Sequence, residues 1–89
     1  DNVYSTTVLT IRADERLTGD TSLRFLRKGD VRDDVELAQM DVGQMRRIRL
    51  PSRVCAGVTR GTLEIQVMRK APTGARQVVD ALGPYALRC

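Results

Sequence analysis

Residues 62–69 alternate without interruption, with Leu63, Ile65 and Val67 on one side and Glu64, Gln66 and Met68 on the other. A period of two belongs to an extended strand, whose successive side chains point to opposite faces. A strand with a buried face needs strand neighbours, because its backbone donors and acceptors must be paired. This segment therefore commits the chain to a sheet, and the search is for the strands that flank it.

Several stretches qualify. Residues 3–12 are rich in Val, Thr and Ile and set Thr7, Leu9 and Ile11 against Thr6, Val8 and Thr10. Residues 22–28, after a turn at residues 17–20, place Leu23 and Phe25 inward and Arg24 outward, although Leu26 breaks the polar face. Residues 44–50 place Ile48 and Leu50 inward and Arg47 and Arg49 outward, and Pro51 ends them. A hairpin turn at Pro72-Thr73-Gly74 leads into residues 76–82, and Gly83-Pro84 bends or bulges the chain before residues 85–89. Residues 28–34 read as a charged loop around Gly29-Asp30, and Val54-Cys55 as a short edge piece or loop. Residues 35–40 carry good helix formers, yet punctuation at Asp41-Val42-Gly43 leaves too short a run for a stable helix, so a strand is expected.

Short alternating segments between turn signals predict an all-β fold: a small six- or seven-stranded immunoglobulin/fibronectin-like β-sandwich, with residues 1–89 as a single domain. The alternative is a five-stranded OB-like barrel. Residues 62–69 are expected at the centre and the first and last strands at edges. Phe25 and Tyr85 are expected in the core.

The core is lean. Of 89 residues 42% are hydrophobic, but the aromatic set is Tyr4, Phe25 and Tyr85, so aliphatic side chains must supply the buried area. A small core gains from a covalent staple, and Cys55 and Cys89 are expected to form one. Closing a segment of about 35 residues is worth about 4 kcal/mol in the chain-entropy model. A cysteine at the last position frays with the chain end unless something ties it down. The disulfide in turn implies an oxidising, periplasmic or secreted location. A start at Asp1 fits a product whose leader has been removed as well as a trimmed one. No apolar run approaches the length of about 18 residues that a membrane-spanning helix needs.

Chemistry-bearing patterns are sparse. There is no histidine, so Ser5, Ser22 and Ser52 have no imidazole to activate them, and there is no Cys-x-x-Cys. Asp30, Asp33, Asp34 and Glu36 lack the spacing of a calcium loop, and residues 57–61 lack that of a phosphate-binding loop. No catalysis, metal or cofactor is expected.

Charge is the informative feature. Residues 1–42 carry six cations and nine carboxylates, whereas residues 43–89 carry nine and two. The basic half contains Arg46-Arg47-x-Arg49-x-x-Arg53, and these four arginines are the candidate partner-binding residues, suited to steering and bidentate pairing with carboxylates. The expected function is that of a small extracytoplasmic protein-binding module, an accessory, inhibitor or chaperone-like factor in envelope or fibre assembly. Its partner would be another protein offering an acidic surface or an exposed strand, since open sheet edges accept partner strands. A basic nucleic-acid-binding β-barrel is the alternative, disfavoured because the aromatics do not interleave with the arginines.

Overall fold

The computed structural model describes residues 8–57 and 60–88. They form six strands: β1 (Val8–Arg12), β2 (Thr21–Arg27), β3 (Asp30–Glu36), β4 (Met45–Arg49), β5 (Arg60–Lys70) and β6 (Arg76–Arg88). A single helical turn, α1 (Ser52–Cys55), stands between β4 and β5. β1 pairs with β4 in a two-stranded sheet, and the remaining strands form a four-stranded sheet in the order β3-β2-β5-β6. Every pairing is antiparallel. The fold is thus all-β, and the alternating segment that anchors the sequence reading lies inside the larger sheet as β5. Among the described residues no helix is long and apolar enough to cross a membrane.

One expectation is corrected at β3. Residues 28–34 are not a charged loop, and the strand expected at residues 35–40 begins at Asp30 instead. Lys28 and Gly29 both adopt positive φ, 51° and 82°, with Arg27 paired to Asp30 on either side of them. Two left-handed residues make the two-residue turn whose twist matches a hairpin, so the chain reverses there at once. Asp34, one of the carboxylates that suggested a loop, meets arginines on the outer face. Asp34 stands directly opposite Arg24, with Nε–Oδ1 at 2.9 Å and Nη2–Oδ2 at 3.4 Å. Arg76 adds contacts of 3.6 Å to Asp34 and 3.8 Å to Glu36. The Asp34 hydrogen bond raises the pKa of Arg24 above its ordinary value, against the opposing effect of desolvation. Such partly exposed pairs are worth about 1 kcal/mol or less each, and they fix which side of β3 faces out.

Residues 37–40 leave the sheet. The Leu37 amide donates to the Thr21 carbonyl, and Met40 exchanges two backbone hydrogen bonds with Leu17, at 2.9 and 3.1 Å, in an isolated bridge. Leu37 and Met40 are both buried. At Val54-Cys55, read as an edge piece or loop, the chain makes α1: Pro51 precedes it, the Val54 amide donates to the Pro51 carbonyl, and Val54 is fully buried. Cys55 is half-buried and packs against the core. Its expected partner, Cys89, lies outside the described residues, as do residues 3–7 of the first expected strand.

The core lies between the two sheets. Leu23 and Phe25 of β2 and Leu63 and Ile65 of β5 meet Ile48 of β4, with Leu37, Leu50, Val54 and Leu87 around them and Leu9 and Ile11 of β1 packed against the cluster. Phe25 is completely inaccessible, as expected. Tyr85 is not in the core: it is 46% exposed. It sits on β6, most of whose residues are exposed although Leu87 joins the core, and which among the described residues pairs with β5 alone.

These positions should respond differently to truncation. Phe25→Ala is expected to destabilise the chain by about 3–5 kcal/mol, and Tyr85→Ala by less than about 1 kcal/mol. Urea unfolding followed by circular dichroism measures both.

Candidate protein-docking site

The four candidate arginines do not form one cluster. On β4 the alternation buries Ile48 and leaves Arg47 and Arg49 exposed on the opposite, outer face. The register with β1 sets Thr10 beside Arg47, Val8 beside Arg49 and Arg12 beside Met45, so Arg12 shares that face. Arg12 is the residue the sequence reading missed, for it ends a strand in the acidic half and only the non-local pairing brings it to β4. The strands read Val-Leu-Thr-Ile-Arg and Met-Arg-Arg-Ile-Arg, with no carboxylate and no aromatic ring. Among the described residues none of Arg12, Arg47 and Arg49 forms an ion pair.

Arg46 does other work. It is half-buried, and its guanidinium donates to the carbonyls of Ala38 and Gln39, at 3.0 and 3.2 Å, holding that segment against β4. Arg53 lies on α1, which packs on β3 and β2, and its carbonyl accepts from the Arg32 side chain at 3.4 Å. Of the four, Arg47 and Arg49 share the outer face with Arg12, whereas Arg46 and Arg53 lie elsewhere.

Two sheets have four outer edges, and three of them carry features that obstruct strand pairing. β3 is charged along its length, and its register shifts opposite Phe25 and Leu26. β6 is irregular twice, opposite Val67 and Met68 and again opposite Leu63 and Ile65, where Gly83 takes φ +99° and precedes Pro84 through a cis peptide. A Cβ at Gly83 would come within 3.0 Å of the Leu63 carbonyl oxygen, so the close approach there requires glycine. Pro84 also has no amide to donate. On β4 the Arg46 side chain tethers the backbone of Ala38 and Gln39 to the strand. Bulges, proline and edge charge are the usual means by which sheets avoid unwanted partners. β1 has none of these: its five pairs with β4 run in unbroken register and its one charge is at the end. Among the described residues no strand pairs with its other edge.

The C-terminal end of that edge, Ile11 and Arg12, borders a groove together with Ala13, Asp14, Glu15 and Leu17, which follow β1. α1, which follows β4, packs on β3 and β2, and Ile11, near the end of β1, lines the groove with Val67 of β5 and Val79 and Leu82 of β6. Glu15, just beyond β1, reaches Arg69 of β5 at 4.0 Å. Between them lies a cavity of about 330 Å³ whose walls include Ile11, Leu17, Leu37, Val67, Val79 and Leu82. This volume is at the low end of the range of about 300–1,000 Å³ typical of ligand clefts. Its rim is charged, with Arg12 and Glu15 on one side and Arg69 and Asp80 on the other. A partly apolar trough at the end of an unpaired strand edge brings side-chain pockets close to main-chain hydrogen-bonding groups, the combination that strand addition uses.

The division of labour among the arginines is measurable without a partner. Arg46→Ala is expected to cost about 1–2 kcal/mol through its lost charge-assisted bonds, whereas Arg47→Ala should stay within about 0.5 kcal/mol of the parent, read by denaturant titration. No family model matches the chain, and no curated protein or solved structure is detectably similar to it.

Proposed function

We propose that this chain is a small extracytoplasmic, periplasmic or secreted, protein-binding module that takes up an extended segment of another protein by strand addition to β1. It acts as an accessory, inhibitor or chaperone-like factor in envelope or fibre assembly and performs no catalysis. One observation carries the reading: among the described residues β1 is the one outer edge without a bulge, proline, tethered segment or run of charge, and its C-terminal end borders the groove. Guarded edges elsewhere give that opening its weight, since a sheet with one unguarded edge directs partners to it.

The architecture proposed is an immunoglobulin-like sandwich in which the two-stranded sheet is the incomplete layer, so that an added strand would widen it over β6. The staple proposed is a Cys55–Cys89 disulfide, which places the module in an oxidising compartment. Cys55 follows β4 directly through α1, so a bridge there would brace the support on which β1 rests. Reduction is expected to lower the melting temperature by several degrees, because 1 kcal/mol moves a domain of this size by about 4–8 °C. Differential scanning calorimetry with and without reductant reads the shift, and an unchanged transition would remove both bridge and compartment from the proposal.

Strand capture is tested with a fluorescent peptide alternating Val and Thr. Saturating peptide should slow amide hydrogen exchange in β1 while leaving β3 unaffected. Val79→Glu places a charge on the groove wall at a residue that is already 46% exposed. It should weaken the peptide about tenfold or more, because an unpaired charge then has to be desolvated, with the melting temperature preserved. Protection appearing at β3 or β6 in place of β1 would overturn the reading.

A further inference from the structure

We infer that the strand accepted by β1 is an acidic one, with aliphatic residues at the positions that face the groove and Asp or Glu at the alternate, outward positions. The inference rests on the strand-capture reading and specifies its partner. A strand added to β1 continues the two-stranded sheet, so its inward side chains lie over Val67, Val79 and Leu82 and its outward ones extend the face of Arg12, Arg47 and Arg49. That face holds three cations without a carboxylate on either strand or an ion pair among the described residues. Arg47 and Arg49 are neighbours at i and i+2, about 6.6–6.8 Å apart along an extended strand. This is also the repeat of the outward residues on an incoming strand, so carboxylates at successive outward positions match the spacing of the arginines.

Arg12 would stand directly beside the added strand. Arg47 and Arg49 lie one strand further away, with the short side chains of Thr10 and Val8 between. The chain itself demonstrates that an arginine can bridge such a distance. On the outer face of the larger sheet Arg76, on β6, crosses β5 and β2 to reach Asp34 and Glu36 of β3. β3 is also an internal example of the proposed ligand: Val35 packs against the core while Asp34 and Glu36 turn outward to arginines. The β1–β4 face has the arginines of that arrangement and lacks its acidic strand.

The experiment compares three labelled peptides that share Val at alternate positions and carry Glu, Thr or Lys at the others. A random single-stranded oligonucleotide serves as a fourth probe. The Glu peptide is expected to bind about tenfold tighter than the Thr peptide at low salt and the Lys peptide weakest, with the Glu advantage shrinking as salt rises. Arg47→Glu with Arg49→Glu should invert the order of the Glu and Lys peptides. Arg60→Glu with Arg88→Glu, an equal change of net charge at an exposed pair on the other sheet, should leave it unchanged.

Equal binding of the Glu and Thr peptides, unaltered by the β4 reversal, would overturn the acidic preference while strand capture stood. Failure of all three peptides to bind would remove strand capture and this inference together. An oligonucleotide bound more tightly than the Glu peptide, or an equal response to both double reversals, would also overturn it, since the arginine face would then not be matched to an acidic strand.

Discussion

Everything in this molecule depends on the packing of Ile48, Leu9 and Ile11 onto Leu23, Phe25, Leu63 and Ile65. Without it neither sheet has a reason to exist, since an isolated two-stranded ribbon is marginal in water. The contact is also asymmetric. A layer of two strands can seal only part of a layer of four, and while this packing buries Phe25, Tyr85 and Val79 on β6 stay substantially exposed. The groove is the boundary between the covered and uncovered parts.

The outer faces obey a different rule. Where carboxylates and arginines share a face, as on β3, β2 and β6, they find one another: Asp34 with Arg24 and Arg76, Glu36 with Arg76. Where arginines stand alone, as on β1 and β4, like charges are left at close range with only solvent to screen them. The first arrangement is complete within the chain. The second gains from an anion brought by something else, and its position beside an open strand edge connects charge and backbone pairing in one place.

Much of the fold was legible because it rests on local signals. The period of two at residues 62–69, the inward Ile48 and Leu50, the burial of Phe25, the turn at residues 72–74 and the irregularity at Gly83-Pro84 all follow from side-chain alternation or from the backbone limits of glycine and proline. What misled the reading was charge and context. Residues 28–34 resemble a loop when read alone, and it is the tight turn at Lys28-Gly29 and the pairing with β2 that make a strand of them. Tyr85 has a core residue's composition but lies on a stretch of β6 that stays exposed, although Leu87, two residues on, is buried. Arg46 differs from Arg47 by one position and thereby by one face, and no sequence pattern announces that the carbonyls of Ala38 and Gln39 will meet it. The arginine face was half legible: Arg47 and Arg49 came from alternation, whereas Arg12 required the pairing of β1 with β4.

The unbroken register between β1 and β4 has a kinetic consequence. β2 with β3, and β5 with β6, are joined by short turns and can form early, because closing a short loop costs little entropy. Val8 and Arg49, by contrast, are brought together across most of the first half of the chain, through the intervening hairpin. Long-range pairings of this kind are slow steps in folding. The pairing of β2 with β5 is as distant, with Thr21 facing Arg69 and Leu26 facing Glu64, so both long-range pairings follow the two hairpins, and the groove, which needs both, comes into existence late. A chain caught short of that point would expose Leu23, Phe25, Leu63 and Ile65 to any other chain in the same condition.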